Sequence, residues 1–420
     1  MYCGSCLHDN ALAKALIAQG HDALLVPTYT PILTDEVSVA DNRLFYGGLN
    51  VYLQQVSALA RWLPKWSDRL LSAPSLVRWV ASRAMGTTAD KLGGLTVSML
   101  KGRDGNQRKE VDRLVDWLAS EIRPDVVIFS NLLIGGAIPE LRRRVPAPIV
   151  VILQGDDAFF DQLPEPYASQ SMTLLKQLAR QVDLFLVHSR AYGLRMQERL
   201  ELRADQWQVT PLALDTSDFL DFRRPELALD HAPRVGYLAR LAPEKGLHAL
   251  ADAFIQLAER HSTVRLEIAG WLGKQHQAYW HSIEQRLAEA GLADRVRYWG
   301  SVDRQGKLEF LRSIDVLSVP VTHFEPKGLF ALEAMAAGVP VVLPEHAAFP
   351  ELIERLKGGH LVAPGDATAL ANCLEMVLAD LPAARALGAH GRQQVLQHST
   401  TAHAARHLVA ALEKLTKQPT

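Results

Sequence analysis

Two glutamates stand with seven residues between them in the stretch HFEPKGLFALEAMAAGVPVV, residues 323–342: Glu325 and Glu333. A strand is expected to end near Val321, a loop to carry Glu325, and a helix to run from about Gly328 to Ala337, closed by Gly338 and Pro340. Glu333 is flanked by Leu332 and Ala334, and one turn away lie Leu329, Phe330, Ala336 and Ala337. A carboxylate with no polar face around it is seldom a solvated surface residue. Buried without a partner it would cost several kcal/mol. Its partner is therefore expected to be a hydrogen-bond donor such as a ligand hydroxyl. The alternative is a satisfied core glutamate that holds the preceding loop.

A second group lies in GYLARLAPEKGL, residues 236–247. Arg240 is expected to end a strand and Lys245 to begin a helix. A lysine at a helix N-terminus opposes the helix dipole, at a cost on the order of a few tenths of a kcal/mol. That placement makes sense where an anion lies. Arg240, Lys245 and the open amides of the helix start would together hold a diphosphate. Basic residues flank many loops, so this motif is weak by itself.

A third group opens the chain. In MYCGSCLHDN, Cys3-Gly4-Ser5-Cys6 has the spacing of a CxxC motif. A redox CxxC follows a strand and opens a helix. A helix does follow, with Leu7, Ala11, Leu12, Ala15 and Leu16 at helical spacing up to Gly20-His21, but no strand precedes. Structural zinc needs two further ligands at suitable spacing, and the remaining cysteine is Cys373. The favoured reading is a Gly-Ser turn feeding a helix N-terminus, which suits an anion. Among the 15 histidines, His403 and His407 share one helix face, but no carboxylate or third ligand is placed with them. His188 ends a buried strand, where a structural role is the commoner one. No metal site is expected.

The elements that must position these residues follow from the apolar runs. PDVVIFSN (124–131), PIVVILQG (148–155), DLFLVHS (183–189), WQVTPLAL (207–214) and DALLVPTYT (22–30) read as buried strands with helical patterns among them. Such alternation indicates a parallel α/β sheet covered on both faces. Residues 215–232 are charged and lack a period, and read as a linker. The alternation then restarts with PRVGYLARL, VRLEIAGW, RVRYWGSV, DVLSVPV and VPVVLPE, with helices expected at about 246–260, 275–290, 328–337 and 367–379. The expected organisation is an N-terminal Rossmann-like domain over 1–214, a linker over 215–232, a C-terminal Rossmann-like domain over 233–398, and a C-terminal helix over 399–420 that packs back on the N-terminal domain. Ligands of such sheets bind beyond the carboxyl ends of the strands, and with two such domains the expected site is the cleft they face.

Composition narrows the function classes. A formal net charge of -1 gives no global steering towards nucleic acid, and a hydrophobic content of 48% supports large buried cores. No apolar stretch approaches the ~20 residues that span a bilayer. Three cysteines and a polar run after Met1 make a reducing, cytoplasmic setting the expectation. Residues 57–101 stand apart. They hold Trp62, Trp66 and Trp79, and seven basic residues against Asp68 and Asp90, a net of +5. The plain reading is an amphipathic helix pair. The functional one is a basic, aromatic lip that meets the inner face of a membrane, or a lipid-borne substrate, from the cytoplasm.

The Glu325/Glu333 pair, the Arg240–Lys245–Gly246 group and the run LEAMAAGVPVV, in this order after the linker, resemble the second half of a glycosyltransferase family 4 enzyme of GT-B fold. LAKALIAQGHDALLV (12–26) and VTPLALDTSDF (209–219) extend the likeness to the first half. The resemblance implies two Rossmann-like domains and transfer of a hexose from a UDP- or GDP-linked donor, with retention of anomeric configuration and no metal cofactor. The acceptor is a glycan, a lipid-linked molecule or a small molecule. It further implies that Glu333 takes the ribose hydroxyls and Glu325 lies by the donor sugar. Amides around Gly328, Leu329 and Phe330 touch the donor, and Arg240 and Lys245 neutralise the leaving diphosphate. Two departures stand out. Pro326 and Lys327 replace the Gly-Phe that many relatives carry. Gln154 stands where relatives often place a histidine, so that histidine's role is not carried over. Gly4, Ser5, Gln154 and Asp156 are the candidates for the acceptor side. In this fold a first strand precedes the glycine-rich loop, whereas this chain begins inside that loop, so an upstream strand is expected. Two rival readings remain: a sugar-nucleotide-binding protein without turnover, and a GT-B sugar-nucleotide epimerase.

Overall fold

A computed structural model describes residues 4–28, 38–41, 89–228 and 230–416. They form two compact units: residues 5–210 with the chain from Ala405 onward, and Gly4 with residues 211–404. Of the segment 57–101, only the helix Ala89–Leu100 and Lys101 fall within the described residues. Trp62, Trp66, Trp79 and Cys3 lie outside them.

The first unit holds a parallel sheet in the order β1 (Val127–Phe129), β2 (Ile149–Ile152), β3 (Leu184–Val187), β4 (Trp207–Val209). Every residue of β2 (IVVI) and β3 (LFLV) is buried. This is what strands covered by helices on both faces require, and it is why they read as continuous apolar runs. β1 is an edge of the described sheet, and its central Ile128 is exposed.

Two expectations for this unit are corrected. DALLVPTYT does not form a regular strand over its described residues 22–28. Among the described residues its pairing is one parallel bridge between Leu25 and Ala40, and Leu24 is 44% exposed. An apolar run becomes a strand only where a neighbour takes its amides and carbonyls. Gly4 and Ser5 are not a turn ahead of the helix but its first residues, in Gly4–Ala18. Glycine is tolerated there because first-turn amides have no intrahelical acceptor in any case.

The second unit holds six parallel strands: β5 (Arg234–Leu238), β6 (Arg265–Ala269), β7 (Val296–Tyr298), β8 (Val316–Ser318), β9 (Val341–Pro344) and β10 (Gly359–Val362). Their order is β10-β9-β8-β5-β6-β7. The chain therefore starts in the middle, builds outward through β6 and β7, and returns to build the other way from β8. The reversal falls between β5 and β8, which pair Val235 with Val316 and Gly236 with Leu317. In an open parallel sheet the loops leaving two such strands part in opposite directions, and the gap between them is the natural ligand site.

Residues 215–232, read as a linker, are folded onto this unit. They contain the short helix Ser217–Leu220. Arg224 donates to Gly338 O at 3.0 Å, and His231 Nε2 lies 2.6 Å from Asp315 Oδ2. Strand β10 and the helix Leu381–His398 are additions to the sequence reading. β10 is half-buried, and GHLV offers no apolar run. The helix buries Ala384, Gly388, Gly391 and Val395, so its inner face is made of small residues rather than large apolar ones. A Cβ on Gly388 would lie 2.2 Å from Gly338 O, and one on Gly391 would lie 2.8 Å from Gly358 Cα.

One glycine positions the parting loops. Gly246 has φ +73°, and a Cβ there would lie 1.8 Å from Pro320 O, backbone of the segment that follows β8. Gly291 has a similar φ of +70° with nothing within 4 Å of an added Cβ. Gly291→Ala is expected to lose only the left-handed strain, about 1 kcal/mol, and Gly246→Ala at least about 1–3 kcal/mol more. Urea midpoints at constant slope measure the difference. Equal losses would show that the Pro320 contact relaxes freely.

Candidate functional site

The site is built at the reversal between β5 and β8. After β5 the chain runs through Ala239 and Arg240 into a short 3-10 turn, Pro243–Lys245, and the helix proper begins at Leu247. Lys245 thus closes the turn and does not open the helix. Tyr237, fully buried, donates its hydroxyl to Arg240 O at 3.0 Å and holds the loop against the sheet. The loop after β8 is stitched to it: the Thr322 amide donates to Glu244 O at 3.0 Å, and His323 Nδ1 lies 3.0 Å from the same carbonyl.

Between the loops lies a buried ion pair. Lys245 Nζ is 2.7 Å from Glu325 Oε2, with the two side chains 15% and 9% exposed. Glu325 Oε1 accepts from the Gly328 amide at 3.3 Å, and the Lys327 amide lies 3.4 Å away. His323 Nε2 lies 3.5 Å from Glu325 Oε2. Burial pushes the Glu325 carboxyl up. Against it work the charge and hydrogen bond of Lys245, the His323 ring and the Gly328 amide, and together they hold it at about 2. Burial and then the charge of Lys245 pull the His323 imidazole below its ordinary value, outweighing the attraction of Glu325 and Glu244.

Gly328, at φ +78°, turns the chain into the helix Leu329–Ala336. A side chain there would meet the Phe349 ring at 2.8 Å. Leu329 and Phe330 carry the first amides of this helix, which have no acceptor within it. The Gly328 amide is committed to Glu325, so a ligand at this turn would meet the amides that follow. Glu333 is 8% exposed, between the fully buried Leu332 and Ala334. It has the partner its burial demands: Lys307 Nζ, 2.7 Å from Oε1. Lys307 sits on the helix Arg304–Ser313.

The structure therefore brings Lys245 together with Glu325, and pairs Glu333 with a residue that sequence reasoning missed. In RQGKLEFLRS, Lys307 carries no signal that separates it from any surface lysine. Arg240 stands apart from the Lys245–Glu325 pair: its guanidinium lies 3.1 Å from Glu244 Oε1, and the side chain is 45% exposed. Among the described residues no group of three His, Cys, Asp or Glu side chains converges as a metal centre needs.

The first unit's candidates gather beyond the carboxyl ends of its strands. Gln154 follows β2, and its Nε2 donates to Asp9 Oδ1 at 2.9 Å and to Ser130 O at 3.1 Å. Asp156 is buried and accepts from the Leu132 amide at 2.8 Å and the Gln154 amide at 3.2 Å, so both its oxygens anchor loops. His188 lies 4.8 Å, ring to ring, from His8. Ser5 is half-buried on the helix Gly4–Ala18, whose first residue, the exposed Gly4, is grouped with the second unit.

Residues 218–394 match the sequence profile described as Glycosyl transferases group 1. Over 185 residues the chain is 34% identical to a phosphatidyl-myo-inositol mannosyltransferase of Mycobacterium leprae, covering 42% of this chain and 47% of that protein. Over 192 residues it is 31% identical to the lipopolysaccharide core biosynthesis mannosyltransferase LpsB of Rhizobium meliloti, covering 45% and 54%. A glycogen synthase of Mycobacterium tuberculosis is 31% identical over 195 residues, covering 44% and 46%. The chain spans about half the length of these curated relatives. In three dimensions it is similar to sucrose-phosphate synthase (tll1590) of Thermosynechococcus elongatus, with a TM-score of 0.68 at 22% identity over 96% of this chain and 91% of that one. It is also similar to Anabaena Alr3699/HepE in complex with UDP, with a TM-score of 0.64 at 18% identity over 93% and 99%.

The lowered carboxyl of Glu325 fixes an acid dependence. An unfolded glutamate titrates near its ordinary 4.5 and the folded one at about 2. The stabilisation is therefore fully present above the higher value and is lost as pH falls towards the lower, on the order of 3 kcal/mol in all. His323, with its own value lowered, adds acid sensitivity that begins higher, from its ordinary 6.5 downward. Below about pH 4.5 the unfolding free energies of wild type and Glu325→Gln are expected to converge. A gap that stays constant down to about pH 2 would show that Lys245 does not hold the carboxylate.

Proposed function

We propose that this chain, which is similar to glycosyltransferases of group 1 over residues 218–394 and folds as two Rossmann-like domains of GT-B type, is a glycosyltransferase family 4 enzyme that transfers a hexose, with retention, from a nucleoside diphosphate donor to a hydroxyl acceptor. The observation that carries this reading is the Lys245–Glu325 pair at the strand-order reversal of the second unit, beside the open amides of the helix Leu329–Ala336.

In this reading the donor's diphosphate lies against Lys245 and Arg240. An ammonium has three donors, so Lys245 can serve a phosphate oxygen while its contact with Glu325 persists or exchanges. As the C1–O bond to the diphosphate breaks, negative charge grows on the leaving β-phosphate. A fixed cation there stabilises the transition state more than the ground state. The sugar becomes oxocarbenium-like, and the acceptor oxygen attacks from the face the leaving group departs. The acceptor's proton passes to the departing phosphate, so no protein nucleophile is required. Glu325, held ionised, faces the sugar, and Glu333 faces the ribose. The reaction is proposed to need no metal cofactor.

UDP and GDP are the proposed nucleotides. A fold neighbour, Anabaena Alr3699/HepE, was solved with UDP and with UDP-glucose. The mycobacterial relative named a phosphatidyl-myo-inositol mannosyltransferase supports a lipid-linked acceptor. So does the +5 charge of residues 57–101, through which the protein is proposed to meet the inner face of the membrane from the cytoplasm.

Two measurements test the donor assignment. Replacing both Arg240 and Lys245 by alanine is expected to weaken UDP or GDP binding by about 2–4 kcal/mol, the larger share from the buried Lys245. Unchanged affinity by calorimetry removes the diphosphate from this loop. Separately, Glu325→Ala is expected to cut turnover more than nucleotide affinity, and Glu333→Ala to weaken nucleotide binding. Equal effects of both variants on both quantities would mean that the two carboxylates are misassigned.

A further inference from the structure

Lys307 supplies a contact that the sequence motifs do not contain. Its ammonium reaches Glu333 Oε1 from a different helix, at 2.7 Å, with the two side chains 20% and 11% exposed. On the helix of Glu333 itself, Ala331, Leu332, Ala334, Met335 and Ala336 are all fully buried. Lys307 is the partner this carboxylate meets in an apolar surrounding.

The geometry bears on what Glu333 can bind. A carboxylate has two oxygens and about four lone-pair positions. Lys307 engages one oxygen and thereby orients the plane of the group, which leaves the other oxygen at a defined angle. Two vicinal hydroxyls need that arrangement: both donate to one carboxylate, and each bond weakens steeply with misalignment. A glutamate without such a brace rotates about its side-chain bonds and presents no fixed pair of acceptors.

We propose that Lys307 is a specificity-determining positioning residue, which braces Glu333 so that its carboxylate accepts from the 2′- and 3′-hydroxyls of a ribose and selects ribonucleotides over deoxyribonucleotides. The proposal rests on the reading of Glu333 as the ribose-binding carboxylate. It divides the two half-buried lysines by target: Lys245 serves the diphosphate end of the donor, and Lys307 acts through Glu333 on the nucleoside end. A lysine kept only to neutralise a core glutamate would stabilise the fold without regard to the sugar.

The test is calorimetric titration of the full chain with UDP, 2′-deoxy-UDP, GDP, 2′-deoxy-GDP and inorganic pyrophosphate. Wild type is expected to prefer each ribonucleotide over its deoxy form about tenfold, equal to about 1.4 kcal/mol. Lys307→Met is expected to reduce that preference to about twofold or less while pyrophosphate affinity is unchanged, and Lys307→Arg to retain it. If Lys307→Met weakens ribo and deoxy forms equally and the preference survives, Lys307 acts through the fold alone and the proposal falls. Should Lys307→Met fail to fold, the Lys307→Met/Glu333→Gln pair leaves no uncompensated buried charge and is compared with Glu333→Gln. Equal preferences in those two are expected, and a further drop in the double variant overturns action through Glu333. Wild type binding ribo and deoxy forms alike removes the ribose assignment and this proposal together, with the diphosphate assignment intact. Wild type binding no nucleoside diphosphate removes the donor reading itself.

Discussion

The ion pair between Lys245 and Glu325 is the interaction around which the second unit's loops are arranged. Its two partners come from the two sides of the strand-order reversal, one from the loop after β5 and one from the loop after β8. For the nitrogen and oxygen to meet at 2.7 Å, these backbones must pass closely, and Gly246 is the residue without a side chain where they do. The Glu244 carbonyl then receives the Thr322 amide, while the Gly328 amide turns back to Glu325. Strand pairing, a left-handed glycine and a charged pair are thus one construction.

Buried ion pairs are poor devices for stability. Desolvating both charges offsets most of their attraction, and well-packed apolar residues often do as well or better, whereas removing one partner alone costs about 3–5 kcal/mol. Two such pairs, Lys245–Glu325 and Lys307–Glu333, on the same unit argue for a use beyond folding. Each fixes a carboxylate in an apolar setting, and Lys245 keeps that of Glu325 ionised. Arg240 differs. Half-exposed and paired with Glu244 within its own loop, it keeps its charge in water, where screening weakens it.

The remainder of the second unit gives this arrangement a rigid base. β5, β8 and β9 are buried almost throughout, and the helix Leu329–Ala336 is nearly all apolar. The glycine and alanine face of Leu381–His398 lets a helix lie directly against the backbone at Gly338 and Gly358. Such close packing leaves little freedom for the turn at Gly328, which sets where the helix amides point. In the first unit the polar groups beyond the strand ends are more committed to one another. Asp156 serves two amides, and Gln154 bridges Asp9 and Ser130.

Much of this was legible in the order of residues. The buried parallel strands β2, β3 and β9 announce themselves as unbroken apolar runs, because strands covered on both faces have no polar side to show. Glu333 could be singled out because a charge amid apolar neighbours on a helix must be buried, and burial demands a partner. Which partner it has was a matter for the tertiary structure. Lys307 lies 26 residues away in sequence, on a helix whose pattern is that of any amphipathic surface helix. Contacts between elements depend on how helices are laid over a sheet, and local spacing carries no record of that. The same holds for Asp156 turning to the Leu132 amide. DALLVPTYT shows the converse: its apolar run suits a strand, but over residues 22–28 one bridge is formed among the described residues, and an apolar run becomes a strand by pairing, which its own sequence does not specify. Residue type and spacing determined which groups had to be buried and charged; the sheet's reversal between β5 and β8 decided that Lys245 and Glu325 meet, and the packing of helices over the sheet that Lys307 and Glu333 do, since only the tertiary structure brings distant segments to one place.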